Sequence, residues 1–344
     1  MVIAVAIKIF SLFPAAIERY YSQGVYPYIS KVQRFLFGWI PFSVGDILYG
    51  VVFIYLLLGI FHFFKRLFKR QLDRTYFRRI GKRLLNIFLW VYIFFNGLWG
   101  LNYNRLGIGP QLDLQPKPYT KAELIEVLEK TVLKLHEIDS TTKDLTVRRK
   151  KDIFRKSYES YQHVSTEAPF LAYDLKSVKP SIYSYLGNYL GYSGYYNPIT
   201  GEAQVNTTVP FFLQSFVTTH EIAHQLGYAK EMEANFVGFL VARESPHPAV
   251  RYSIYFDLLM YTYSNLSRQD SVDLKPLTEN LPQRVKDDVK ELLAFHKKYE
   301  NFLEPVIRML YGKYLEANEQ PKGILSYDEV LGWVVAYYRK FKTI

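Results

Sequence analysis

Two long apolar blocks dominate the first hundred residues. Ile47 to Phe64, ILYGVVFIYLLLGIFHFF, runs for eighteen residues without a formal charge, and Leu84 to Leu101, LLNIFLWVYIFFNGLWGL, runs for eighteen more. A helix crossing a bilayer core needs roughly 17–25 apolar residues, so the blocks predict spans at about 47–64 and 84–101. A buried core helix gives the same signal, but these two blocks flank a segment no core would hold. Residues 65–83 read KRLFKRQLDRTYFRRIGKR, with nine Lys/Arg and one Asp. Trp90, Trp99 and Tyr103 suit an interfacial belt around the second span. Val2 to Ile17 is apolar but short, and Lys8 and Pro14 interrupt it. It predicts a third span at about 2–17, with a signal-like segment as the other reading. The aromatic stretch from Glu18 to Asp46 suits a segment lying on the membrane face, with Ser43 and Asp46 as caps before the next span.

After Asn102 the pattern becomes amphipathic. TKAELIEVLEKTVLKLHEID opens with a capping box, Thr120 and Glu123, and places Leu124, Val127, Leu128 and Leu135 at helical spacing. A charged amphipathic helix is expected from Asp144 to Val164. Further helices are expected over Val209–Leu226, Ala229–Arg243, Ala249–Leu266, Pro282–Tyr299, Phe302–Ala317 and Ser326–Phe341, the last with a capping box of Ser326 and Glu329. GYSGYYNPITGEAQVN, ending at Asn206, has aromatic runs broken by Asn-Pro and Thr-Gly, a hairpin signature. The expected fold is a mainly α membrane protein. Two to three N-terminal transmembrane helices form a membrane domain (1–101), and a mostly helical domain with a small β-hairpin or sheet follows (102–344).

Charge sharpens the topology. The chain carries a net +11, of which +8 lies in residues 65–83 and only +3 elsewhere. The basic balance therefore marks a cytoplasmic loop and gives no reason to expect nucleic acid as a partner. The lipid bilayer is the partner it implies, and everything after Asn102 is placed outside the cytoplasm. There is no cysteine, which excludes disulfides, thiol nucleophiles and Cys-ligated zinc.

The chemistry is concentrated in TTHEIAHQLGYAKEMEAN, Thr218 to Asn235. His220-Glu221-Ile222-Ala223-His224 is an H-E-x-x-H motif, and a chance match in such a chain is on the order of one per cent. Residues four apart share a helix face, so both imidazoles can reach one metal ion, expected to be zinc. Glu221 is then the general base towards water held by that ion. A straight helix would carry Glu231 about 10 Å beyond His224, too far for a shared ion, so the chain is expected to turn at Gly227. Position 230 is Lys230, which cannot ligate as an ammonium. Two third-ligand candidates remain, Glu231 and Glu233, on opposite faces of the next helix. Asn235 shares the face of Glu231 and could orient a ligating imidazole, which favours Glu231. Ala234 is small enough to let the two helices approach. Candidate oxyanion donors are Tyr252, Tyr255 and Tyr195, with His247 and Arg251 behind them. The stretch GEAQVN, with Ala203, Val205 and Asn206, is a candidate strand for pairing with substrate; a purely structural hairpin is the other reading.

HEIAH followed by EMEAN resembles the gluzincin clan of zinc metallopeptidases, whose glutamate helix carries E-x-x-[A/S]-[D/N]. Here that segment is Glu231-Met-Glu-Ala-Asn235, and the gap after His224 is much shorter than in most gluzincins. Over nearly its whole length the chain resembles an uncharacterised bacterial membrane family, the domain of unknown function numbered 3810. The match is carried by NPITGEAQVN, HEIAHQLG and KEMEANFVGFL. The resemblance implies a zincin-like domain and supplies no demonstrated activity. Together the readings predict a multi-pass protein of the bacterial inner membrane with its catalytic domain on the periplasmic or extracellular side. It would be a zinc-dependent hydrolase, a metallopeptidase acting on proteins or peptides. The alternatives are an inactive zincin-like metal-binding scaffold or sensor of the envelope, and a structural membrane protein with an accidental motif.

Overall fold

The computed structural model describes residues 1–142, 149–268, 274–321 and 329–344. The first apolar segment forms α1 (Val2–Phe10) and leads through a π-helical stretch, Ile17–Val25, into α2 (Tyr26–Phe37). Ser43 caps α3 (Val44–Phe68), its hydroxyl accepting the Asp46 N–H at 3.0 Å. Asp73 caps α4 (Arg74–Leu98) in the same way. Both bonds of the Thr120–Glu123 capping box open α5 (Lys121–Thr141), and Leu124, Val127, Leu128 and Leu135 all face the core. The chain continues as α6 (Lys150–Val164), β1 (Val178–Pro180), β2 (Gly194–Asn197) and β3 (Glu202–Val205). Then come α7 (Phe211–Gln225), α8 (Glu231–Arg243), α9 (Pro248–Ser267), α10 (Gln283–Tyr299), α11 (Glu304–Ala317) and α12 (Val330–Phe341). Asp144 and Ser326, expected near two helix starts, lie outside the described residues.

The expectation of two to three spans is corrected. Among the described residues one helix, α3, is long and apolar enough to cross a membrane, and no part of its most apolar stretch is buried within the protein. The nine residues of α1 cover about 13 Å and stop ahead of Pro14. α4 has the length, but Arg74, Arg78, Arg79, Lys82 and Arg83 occupy its first ten residues.

The centre of the molecule is α7. It packs against α6, α8 and α9 and against β2 and β3, and every residue from Gln214 to Gln225 is buried. Its polar residues are therefore paired internally. Thr218 Oγ1 donates to the Gln214 carbonyl at 2.6 Å, and the Thr219 carbonyl accepts from Tyr161 Oη at 2.7 Å. Gln225 ties the helix to the sheet: its amide donates to the Gly201 and Ser177 carbonyls at 2.7 and 3.1 Å, and its oxygen accepts from Tyr173 at 2.7 Å.

The sheet has the order β1-β3-β2, with β1 parallel and β2 antiparallel to β3. The predicted hairpin is present, Tyr196 opposing Ala203 and Gly194 opposing Val205. β3, however, is the central strand. Ala203 and Val205 are paired on both sides and fully buried, and the Asn206 amide is bound to Asn188 Oδ1 and the Tyr192 carbonyl. Ala203, Val205 and Asn206 therefore cannot receive an added strand; the edges are β1 and β2, and β2 is the one that borders the cavity of the histidines.

A second cluster of buried apolar residues runs across position 101, joining Ile17, Tyr21, Tyr26 and Trp99 to Tyr103, Tyr196 and Ala229. Its polar core is a buried bidentate pair, Arg105 Nη2 to Glu18 Oε1 at 2.6 Å and Arg105 Nε to Glu18 Oε2 at 3.0 Å. The Leu106 N–H adds a bond to the same carboxylate. Burial alone would raise the Glu18 pKa, but the bonds and charge of Arg105 hold it below its usual value. A depressed folded-state pKa gives stability that is complete above about pH 4.5, the group's ordinary value, and is lost as pH falls through the folded value. Arg105→Ala strands the carboxylate and is expected to cost about 3–5 kcal/mol in urea unfolding of the full chain. Glu18→Gln is expected to flatten the loss of stability between pH 5 and pH 3; an unchanged acid limb would refute the assignment.

Candidate metal centre

Position and pairing of the motif follow from how α7 ends. Leu226 is its last half-helical residue and Gly227 takes φ +87°, a left-handed conformation. The Gly227 N–H donates to the His224 carbonyl at 3.0 Å and the Tyr228 N–H to the Ala223 carbonyl at 3.1 Å, which is a complete Schellman ending. Residues ahead of α5 add further donors to the carbonyls of this turn. The His224 carbonyl accepts from Trp99 Nε1 at 3.1 Å, the Gln225 carbonyl from Tyr26 and Ser30 at 2.9 and 2.8 Å, and the Gly227 carbonyl from Arg105 at 3.2 Å. After this turn Lys230 precedes α8, whose first N–H, on Glu231, donates to Gln320 Oε1 at 2.9 Å.

The turn brings three groups together. His220 Nε2 lies 3.2 Å and His224 Nε2 3.6 Å from Glu231 Oε2. One ligand atom from each residue falls within 4.8 Å of the other two. All three are buried. The His224 Nδ1 lies 2.7 Å from the Tyr228 carbonyl. A carbonyl only accepts, so Nδ1 carries a proton and Nε2 is the ring atom that faces Glu231. Nδ1 of His220 has no bonded partner; burial holds the ring's pKa below its ordinary value, against the pull of Glu231 and of Asn235 beside it. Glu231 Oε1 accepts from Tyr311 Oη at 2.9 Å, while Glu231 Oε2, pointing between the imidazoles, has no hydrogen-bond partner.

Glu233 goes the other way. It packs on the backbone of Gly107, where even a Cβ would come within 1.9 Å of its carboxylate. Burial raises its pKa, and Lys230 and Arg105 oppose that. Glu231 is therefore the acid the fold presents to the histidines.

Glu221 is fully enclosed between α7 and β2. A Cβ on Gly194 would stand 2.5 Å from Glu221 Oε1 and 2.9 Å from Val217, so glycine is required there for the carboxylate to lie against the strand. Burial lifts the Glu221 pKa to about 8, with the nearby Glu231 charge adding to it and His224 opposing. His224 is pulled down by burial but lifted further by the Glu231 charge, to about 9. For Glu231 burial pushes the pKa up, and the two imidazoles bring it far below the usual range.

A cavity of about 2830 Å³ opens on these residues, with Gly194, Tyr195, Tyr103, Tyr311 and Tyr314 also in its wall. Two of the expected oxyanion donors are elsewhere: the Tyr252 hydroxyl is bound to Asp288 and the Tyr255 hydroxyl to the Ile344 carbonyl. Their helix, α9, turns them into the core. Tyr195 reaches the cavity, but its hydroxyl is committed to Asp46 and Ser181. His247 pairs with Glu159, and Arg251 with the Ser245 carbonyl. The phenol that touches the cluster is Tyr311, with Tyr314 and Tyr103 bonded to each other at 3.2 Å nearby. Tyr311 stands eighty residues beyond Glu231 in a chain with 30 tyrosines, and no spacing rule singles it out.

The model of one protein family, "Protein of unknown function (DUF3810)", matches residues 21–335. The chain belongs to this family. The span matched to DUF3810 runs from α2 to α12 and so includes the N-terminal helices that cap α7 as well as the histidine cluster. No curated protein and no solved structure matches the chain.

Trp99→Phe keeps an aromatic ring and removes one donor to the His224 carbonyl, which still accepts from Gly227; the expected cost is about 0.5–1.5 kcal/mol. Gly227→Ala should cost more, because it strains a positive φ and drives a Cβ to 2.8 Å from the Tyr26 ring. Urea unfolding of the full-length variants in detergent measures both. A Gly227→Ala variant as stable as the wild type would overturn this account of the turn.

Proposed function

We propose that this chain is a membrane-anchored, zinc-dependent hydrolase, a metallopeptidase acting on polypeptides outside the cytoplasm. The observation that carries the reading is the convergence of His220 Nε2, His224 Nε2 and Glu231 Oε2, with Glu221 buried beside them. The donor set of two imidazoles and a carboxylate suits zinc. Ligand atoms of a tetrahedral site with bonds of about 2.0–2.1 Å stand about 3.3 Å apart; the 3.2 and 3.6 Å separations seen here bracket that value. The unpartnered Glu231 Oε2 is the buried atom such an ion would satisfy.

Zinc bound there supplies Lewis acidity and makes water acidic enough to deprotonate near neutral pH. Glu221 takes the proton from the attacking water and delivers it to the leaving amine. The peptide C–N bond breaks, the water oxygen stays on the carbonyl carbon, and the amine leaves with the transferred proton. Tyr228, through its carbonyl, holds the His224 tautomer; Tyr311 and Gln320 hold Glu231. The free edge of β2, beginning at Gly194 against Glu221, is where an extended substrate can add as a strand. This replaces the β3 residues expected for that role. The short apolar face of α4 would complete a hairpin with α3, and the Lys/Arg-rich segment between them would stay in the cytoplasm. That orientation leaves the histidine cluster on the periplasmic or extracellular side of the inner membrane of a bacterium.

The purified full-length chain is expected to carry about one zinc per molecule by elemental analysis. Glu231→Gln should lose most of it, and Glu233→Gln should keep it. Glu221→Gln should keep the metal and lower hydrolysis of casein by about 10²-fold or more. Gly194→Ala should likewise keep zinc and lose turnover, because its Cβ crowds Glu221 and Val217 and none of the three metal-facing groups. Bound zinc without Glu221-dependent turnover would favour a metal-binding scaffold or sensor, and a chain without zinc would end both readings.

A further inference from the structure

The cavity at the histidines does not close around them. It continues between α3 and α4, where Leu48, Phe53, Ile87, Trp90, Val91 and Phe94 form its walls, and it reaches Arg83. The two helices do not pack on each other along their length. Their outer ends are held apart by different parts of the protein. The Asp46 carboxylate, in the first turn of α3, accepts from the Ile182 N–H at 2.6 Å and from Tyr195. Trp99, just after α4, donates to the His224 carbonyl. The inner ends are drawn together by a short link, Lys69–Asp73, and by Arg83, which donates to the Tyr55 hydroxyl and lies 5.8 Å over its ring. The space between them is a wedge that runs from the histidines to Arg83, where the Arg83–Tyr55 contact bridges the two helices. From Leu98 to Arg83 it follows about 22 Å of helix, more than the roughly 15 Å of one leaflet's hydrocarbon.

Resting on the hydrolase reading above, we infer that the substrate is a polypeptide anchored by an acyl chain, the chain lying in the wedge between α3 and α4 while the adjoining peptide is cut at the histidine cluster. The walls are apolar where α3 leaves the protein surface, so an apolar segment entering there stays out of water throughout. The bridged inner end selects the kind of anchor. A transmembrane helix must run on through the second leaflet and would meet the Tyr55–Arg83 contact, whereas an acyl chain ends within the membrane. The mouth adjoins the free edge of β2, where Gly194, Tyr195 and Glu221 share one wall, so a peptide attached to the chain passes the base directly. α11 borders the same mouth through Ile307, Tyr311 and Tyr314. Its exposed face carries Val306, Met309 and Leu310, a helical apolar stripe suited to the membrane surface beside the entrance.

The test uses the full-length, zinc-loaded chain in lipid nanodiscs. The probes are an N-palmitoylated casein peptide with a diazirine near the end of the acyl chain, its unacylated twin, and the same peptide fused to a transmembrane helix. With Glu221→Gln, photolysis is expected to label Phe53, Ile87 and Trp90, and Val91→Trp, which fills the wedge, should reduce that labelling at least five-fold. With the active chain, kcat/KM for the acylated peptide should exceed that of its twin at least ten-fold. Labelling spread evenly over α3 and α4, equal to that from free diazirine-palmitate, would overturn the inference, and it is read on the unmutated wedge even if Val91→Trp fails to fold. Equal cleavage of the unacylated twin would overturn it while leaving the hydrolase standing. Preference for the helix-fused peptide would overturn the choice of an acyl anchor. Wedge labelling without any Glu221-dependent cleavage would support the anchor site and overturn the hydrolase.

Discussion

A helix that must end three residues after its second histidine leaves a set of carbonyls pointing into the protein with no partners of its own. Everything around the histidine cluster follows from how those carbonyls are satisfied. The Schellman bonds reach the Ala223 and His224 carbonyls, Trp99 adds a second donor to His224, and Tyr26, Ser30 and Arg105 meet the carbonyls of Gln225 and Gly227. Unpaired, each would cost about 1–3 kcal/mol. The sharp turn that delivers Glu231 to the imidazoles is thus maintained by residues from the N-terminal helices. Arg105 is in turn fixed by Glu18. The N-terminal helices and the part that carries the histidines are one folding problem, which is why the apolar cluster around Tyr26 and Trp99 joins residues from both.

The local geometry of the cluster was legible because it depends on short-range rules. The four-residue spacing, a glycine where the helix must stop, and two acids on opposite faces of the next helix all act within eighteen residues. They leave Glu231 and Glu233 as alternatives, with Asn235 favouring Glu231, and the structure turns Glu231 to the histidines and Glu233 to Gly107. The helices were legible too, for the amphipathic period that predicts α5 also buries its apolar stripe. What could not be read depends on distant partners. Tyr311 and Gln320 reach Glu231 from eighty and more residues away. Tyr252 and Tyr255 have the right chemistry, but their helix turns them towards Asp288 and the C-terminal carboxyl residue. The hairpin was visible, yet the three-residue strand Val178–Pro180 that covers its second strand is too short to carry a pattern, and it moves the free edge from β3 to β2.

Charge and length interact in the first hundred residues in a way composition alone misreports. α4 is as long as α3, but five cations in its first ten residues leave a shorter apolar run. The two helices are consequently unequal partners. α3 is apolar along nearly its whole length and exposed from Val51 to Phe61, with only its first turn buried, whereas α4 begins basic and is followed by Trp99, which donates to the helix of the histidines.

The grip of Asp46 on Ile182, Ser181 and Tyr195 has a mechanical meaning. The first turn of α3 cannot slide along its axis without dragging the edge strand that lies against Glu221. The histidine cluster is therefore held at a fixed height from the first turn of α3. The protein carries a built-in ruler whose zero mark is a single carboxylate.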